Sequence, residues 1–193
     1  RYIWSEKVVL GAISLDLFAV LLGGAVALLP VYAADILEVG PTGLCFLRAA
    51  QAIGAIAMGA WLVFRPVRDF AGRTMLITVF VFGLFTLVFA LSETLWLSVV
   101  ALFGMGAADM ISVNIRSSLV QLWTPDDLRG RVNAVNQVFI GASNEVGGFR
   151  AGTMAAFIGP VAAVAIGAAG TVAVAGAWAA LFPEMRRIRS LVR

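Results

Sequence analysis

Six ionisable side chains interrupt otherwise apolar stretches of this 193-residue chain: Asp16, Arg48, Asp109, Arg116, Glu145 and Arg150. Three are acidic and three basic, so they can neutralise one another. Near the centre of a bilayer each costs about 2.5–3.5 kcal/mol even on the most lenient scale, so such groups face a bundle interior or a watery cavity. Two chemistries fit. The groups are interhelical ion pairs that hold a fold together, or they line a transport path whose carboxylates take up and release protons. Removal from water favours the neutral acid, which makes mid-membrane carboxylates the better proton carriers. Counting depth at about 1.5 Å per residue, Asp109 and Glu145 are those carboxylates. Asp16 and Arg116 fall near one and the same side and form a candidate pair, whereas Arg48 and Arg150 lie toward the opposite half.

The elements that position these groups are helices in lipid. Hydrophobic residues make up 61% of the chain and charged ones 13%, against about 45–50% and about 25% in soluble domains. A crossing helix needs about 17–25 mostly apolar residues. Residues 8–34, 42–64, 74–91, 95–122, 132–158 and 161–182 supply six such segments. Pro41, Pro66, Pro125, Pro160 and Pro183 fall at or just beyond the proposed ends, where a missing N–H does least harm. Asp126 or Thr124 is placed to cap the fifth helix.

Charge alternates from loop to loop. Arg1 and Lys7, then Arg65, Arg68 and Arg73, then Arg129 and Arg131, then Arg186, Arg187, Arg189 and Arg193 collect on one side. The opposite loops carry Asp35, Glu38 and Glu93 and no Lys or Arg. The positive-inside rule places the basic side and both termini in the cytoplasm. The segment lengths and this alternation argue against the buried core of a large soluble protein.

The first and second spans carry charge and the third none; the fourth and fifth carry charge and the sixth none. A period of three helices is expected of transporters built from internal repeats, here about residues 1–92 and 93–193 of a single domain covering 1–193. Gly141, Glu145, Gly148 and Gly152 share one face of the fifth span, and Ala52, Ala55 and Gly59 share the face of Arg48 in the second. Such stripes let helices approach or slide. Gly167, Gly170 and Gly176 of the sixth span read as a packing seam. Asn114, Asn136 and Asn144 add hydrogen-bonding capacity to the charged helices, as interhelical glue or as cavity lining.

Several function classes are disfavoured. The basic residues form short clusters between apolar segments rather than one face, so nucleic acid is not an expected partner. One cysteine, Cys45, and no histidine leave no expectation of a disulfide, a metal or a cofactor. No phosphate-loop motif is present, and no nucleophile, base and oxyanion set stands out, so an enzyme is not expected. The chain opens on Arg1 with no signal-peptide pattern, which predicts a segment of a longer protein.

Particular stretches point further: Ser14 to Phe18 with Leu21 to Pro30, Val39 to Leu44, Pro125 to Arg131 followed by Val132 to Asn136, then Ser143-Asn144-Glu145 and Phe182-Pro183-Glu184. On these the chain resembles the C-terminal half, helices seven to twelve, of a major facilitator superfamily transporter, in the branch of enterobactin-exporter-like proton-linked drug and siderophore exporters. The resemblance implies an all-α, six-helix transmembrane bundle, half of a twelve-helix fold with a three-plus-three inverted repeat, in a bacterial inner membrane. It also implies a cavity lined by the first and fourth helices, where Phe18 and Phe103 are candidate contacts for an apolar substrate. The family's cytoplasmic loop signature survives only in degenerate form between Arg65 and Arg73, which makes Asp69, Arg73, Arg129 and Arg131 gate candidates. Ordinary positive-inside anchoring explains the same arginines.

The expected function is secondary active transport: proton-coupled export of a small amphipathic molecule along Asp16, Arg48, Asp109, Arg116, Asn144, Glu145 and Arg150. Its expected partners are the bilayer, protons, the substrate and an N-terminal six-helix half or a second copy. The alternative is a membrane scaffold or receptor bundle whose charges serve assembly only.

Overall fold

A computed structural model describes residues 7–67 and 70–181, and these are almost wholly helical. α1 covers Lys7–Gly23, α2 Gly40–Phe64, α3 Ala71–Ala90, α4 Leu95–Trp123, α5 Asp126–Ile158 and α6 Pro160–Leu181. Pro41 and Pro160 sit in the first turns of α2 and α6, where the N–H they lack has no intrahelical partner anyway. Short connections make successive helices antiparallel.

Among the described residues five segments have the length and apolar character to cross a bilayer: Ile13–Ile36, Gly40–Phe64, Ala71–Ala90, Leu95–Trp123 and Pro160–Leu181. The expectation of six mostly apolar spans is corrected at α5. Its 33 residues are long enough, but Asn133, Asn136, Gln137, Asn144, Glu145 and Arg150 dilute its hydropathy. The helix itself begins at Asp126, next to the residues expected to cap it and ahead of the apolar span expected over 132–158. The expected cap is corrected too. Pro125 takes the N-cap position without any side-chain bond, and Asp126, in the first turn, accepts a 2.7 Å ion pair from Arg129. Proline's restricted φ sets this boundary.

The first span is not the continuous helix expected over 8–34. α1 stops at Gly23, Gly24 turns left-handed at φ 52°, and the chain continues as a 3₁₀ turn over Ala25–Leu28, a short α-turn over Leu29–Val31 and a π-turn over Tyr32–Ile36. Pro30 is the cause on the far side of the break. It has no N–H for the Val26 carbonyl, which accepts the Leu29 N–H in 3₁₀ fashion instead. On the near side, the last carbonyls of α1 have lost their helical donors. Arg150 of α5 replaces them: its Nε donates to the Leu21 carbonyl at 3.1 Å and its Nη2 to the Leu22 carbonyl. Beyond the break, the buried Tyr32 donates to the Ala90 carbonyl at 3.1 Å and stacks on Phe89, tying the outer end of the span to the end of α3.

α1 and α4 run through the middle of the bundle. α5 and α6 pack on α1, α2 and α3 pack on α4, and α3 and α6 pack on each other. Leu29, Tyr32, Phe89, Leu102 and Met105 are buried in one half of the core, and Leu15, Met75, Ile115 and Leu119 in the other. Large apolar side chains also point outward, among them Phe64 at 83% and Phe157 at 84% exposure, as lipid-facing residues do. With lipid as solvent, association rests on close packing and hydrogen bonds rather than on hydrophobic burial. Hence the glycines at contacts: a Cβ on Gly54 would strike the Phe103 backbone of α4, and one on Gly106 the Gln51 backbone of α2. Gly167 and Gly170 pack against Leu22, as expected of a seam, whereas Gly176 has nothing within 4 Å and is not part of it.

Three outcomes follow. Gly106→Leu forces α2 and α4 apart and costs about 1–3 kcal/mol, read as a lowered melting temperature of the detergent-purified protein. Gly141→Ala, which meets no atom within 4 Å, leaves that temperature unchanged. Arg150→Met strands two carbonyls and costs about 2–3 kcal/mol, with Arg150→Lys restoring part of the loss.

Candidate functional site

α4 carries Asp109, Ser112 and Arg116 at spacings of three and four, which places all three on one face. Across from them on α1 stands Asp16. Its Oδ2 meets Nη1 of Arg116 at 3.2 Å, and both side chains are buried. The same Nη1 donates to Oδ1 of the buried Asn136 of α5 at 3.3 Å. A charge pair and an amide thus join three helices in a place closed to lipid. Such a pair is costly to break from one side, since either partner alone is an uncompensated buried charge. The pairing expected of Asp16 and Arg116 is present in the structure.

Asp109 lies elsewhere. α4 and α5 meet only sparsely, and between them opens a cavity of about 130 Å³. Asp109, Gln51 of α2 and Asn144 of α5 are its polar side chains, Phe82 and Met105 its larger apolar ones, and the broken segment from Gly23 to Ala27 forms part of its wall. One carboxylate and two amides over an apolar lining can orient a small amphipathic molecule or exchange a proton with water. Gln51 is the lining residue that charge-counting does not single out. Its position three residues after Arg48, toward the same side of α2, is the signal in the sequence.

The other predicted site residues have different surroundings. Glu145 is exposed on α5 beside Asn144, and Arg48 is exposed on α2; neither forms an ion pair among the described residues. Arg150 is committed to the α1 carbonyls and to Sδ of Met154 at 3.2 Å. Phe18 stacks on Trp178 of α6, with ring centroids 5.2 Å apart. It does not line the cavity, nor does Phe103, whose side chain is exposed. Among the gate candidates, Arg73 is exposed in the first turn of α3, Arg131 is exposed in α5, and Arg129 pairs with Asp126 of its own helix. Asp69 lies outside the described residues, as do Arg68 and the stretch from Phe182 onward. The described residues contain no cluster of His, Cys, Asp or Glu able to hold a metal.

No curated protein shows significant similarity to the chain. A major facilitator family model described as transmembrane secretion effector matches residues 4–191, nearly the full length. With spans that require a bilayer and a charged interior cavity between central helices, the chain belongs to this transmembrane secretion effector family of major facilitator transporters.

Proposed function

We propose that the chain is one six-helix half of a secondary active transporter, exporting a small amphipathic molecule in exchange for protons by alternating access. The observation that carries this reading is Asp109, an acidic side chain without an ion-pair partner among the described residues, in the wall of a cavity that five of the six helices line. Glu145 and Arg48 on the flanking helices, Asn144 in the wall, and Arg150 and the Asp16–Arg116 pair behind it complete the proposed pathway. In this reading Arg73, Arg129 and Arg131, with Asp69, form the cytoplasmic gate, and the membrane is a bacterial inner membrane with both termini inside.

The arrangement of neighbours supports an inverted repeat of residues 1–92 and 93–193. α1 packs on α5 and α6 while α4 packs on α2 and α3, and exchanging the two triplets turns one set into the other. In such folds the site sits where the repeats meet, on discontinuous helices, and the break at Gly23–Gly24 lies at the cavity. The open stripes of α2 and α5 support a partner half that faces this cavity. A scaffold that uses its charges for assembly alone draws support from Asp16–Arg116 and Arg150, which are engaged inside the bundle, but leaves Asp109 without a role.

In everted vesicles carrying the full-length protein, ethidium accumulation driven by a pH gradient falls by at least about ten-fold in Asp109→Asn, equivalent to about 1.4 kcal/mol, with membrane insertion unchanged. Gradient-driven accumulation at the unsubstituted level in that variant would sink the proposal.

A further inference from the structure

Among the described residues three buried polar side-chain atoms have no hydrogen-bond partner: Oγ1 of Thr124 at the end of α4 and, inside the bundle, Oγ of Ser112 and Nε of Arg116. Ser112 and Arg116 are more than nine-tenths buried, at 3% and 4% exposure. Leaving such a group unpaired costs about 1–3 kcal/mol, so each calls for a partner. Both line small cavities. One lies between Asp109, Ser112 and Asp16. The other lies between Asp16, Arg116, Asn136 and Ser143. Each has about 10 Å³, close to the least space that holds one water. With the larger cavity at Asp109 they form a series along α4, and Val20 of α1 borders all three.

Resting on the transporter reading, we infer that a water held by Ser112 connects Asp109 to Asp16, forming a proton relay that ends at the Arg116 ion pair. The relay bypasses Glu145, which is exposed on α5 and lines none of the three cavities. Asp16, Asp109 and Ser112 are the polar residues of the middle cavity, beside Ala19, Val20, Val79 and Phe82, and a buried water needs two to four polar partners. The step balances: the Asp109 carboxylic acid gives its proton to the water, and the water gives one of its own to the Asp16 carboxylate. One proton has moved inward and one negative charge outward. Asp16, now neutral, no longer balances Arg116, and the unbalanced guanidinium favours the return of the Asp16 carboxylate, which gives its proton to a water of the innermost cavity, leaving as hydronium toward the basic end of the bundle.

Few other groups can interfere. α3 brings no ionisable side chain to this region, its Arg73 being exposed at the far end, and α6 has none in its length. α5 contributes Asn136 and Ser143, its Arg150 being held on the Leu21 and Leu22 carbonyls and its Glu145 exposed, and α2 contributes Gln51 to the outer cavity while its Arg48 is exposed. The two aspartates and Arg116 are therefore the charges of the relay.

The test is infrared spectroscopy of the carboxylic acid C=O bands in the purified full-length protein during a pH titration, run beside ethidium transport in everted vesicles. Asp109→Asn and Asp16→Asn each remove one band and assign it; where Asp16→Asn does not fold, Asp109→Asn and Ser112→Ala decide. Ser112→Ala shifts the bands and lowers proton-driven ethidium transport by about ten-fold. Thr153→Val, which deletes an exposed hydroxyl bonded only within α5, changes neither. Unchanged bands in Ser112→Ala overturn the relay whatever the transport assay gives. Shifted bands in a protein that shows no proton-driven flux even when unsubstituted uphold the bridged pair and remove the transporter reading instead.

Discussion

Hydrocarbon offers no hydrogen-bond partner, so a helix that ends inside a membrane must find donors for its last carbonyls within the protein. α1 ends at Gly23, well inside its span, and the Arg150 guanidinium supplies those donors to Leu21 and Leu22. Much of the nearby packing follows from that contact. α5 must lie close enough for a side chain to reach, and Gly147 of α5 allows it, since a Cβ there would press on the Val20 and Leu21 carbonyls. α6 closes in from the other side through Gly167, where a Cβ would strike the Leu22 carbonyl. Gly24, left-handed and within reach of Ala151, completes the junction. A charge that looks in sequence like part of a transport path is thus the brace that lets a helix stop where the cavity begins.

The same economy separates the other intramembrane charges. Asp16 and Arg116 join the two central helices at one depth and are shielded from lipid by the rest of the bundle. Asp109, seven residues before Arg116 on the same face of α4, is two turns away along the axis and borders open space instead. A single stripe of one helix therefore carries an ion pair at one end and, at the other, a carboxylate without an ion pair among the described residues. Ser112 sits between them. Pairing all the charges would give a more rigid bundle, and pairing none would give an unstable one. This division allows a stable frame to hold one reactive group.

Much of this was legible in the residues. Hydropathy located the long helices, and prolines marked most of their ends, because both respond to the bilayer and to backbone chemistry that act locally. Loop charge agreed with the antiparallel order. The pairing of Asp16 with Arg116 followed from depth, since groups on different helices at equal depth are the ones able to meet. The roles of Arg150 and Gln51 were not legible. Arg150 bonds to backbone more than a hundred residues away, and no side-chain pattern reports a carbonyl left without a donor. The break itself had local signals, Gly23, Gly24 and Pro30, but an apolar run that spans them hides a change in backbone form. The start of α5 was legible within a residue, but its polar residues, which keep it from being as apolar as the other spans, are a statement about its surroundings.

That statement concerns what lies against α5 and α2. One exposed face of α5 carries Val135, Phe139, Val146, Phe149 and Phe157, side chains at home in acyl chains. The other carries Gly141, Asn144, Glu145 and Gly152, none of which has any reason to favour lipid. α2 divides the same way, with Phe46, Ile53, Trp61 and Phe64 on one side and Arg48 and Ala52 on the other. A charge exposed to hydrocarbon is unfavourable by several kcal/mol, about the stability of a small domain. Two of them on matching helices, each beside small residues that permit close approach, mean that lipid is not the solvent of these faces. Water in an open cavity satisfies the charges but gives no reason for the glycines, and a packed neighbour accounts for the glycines but must leave the charges hydrated. A surface that alternates between the two meets both conditions, and that is what alternating access would ask of the proposed partner half.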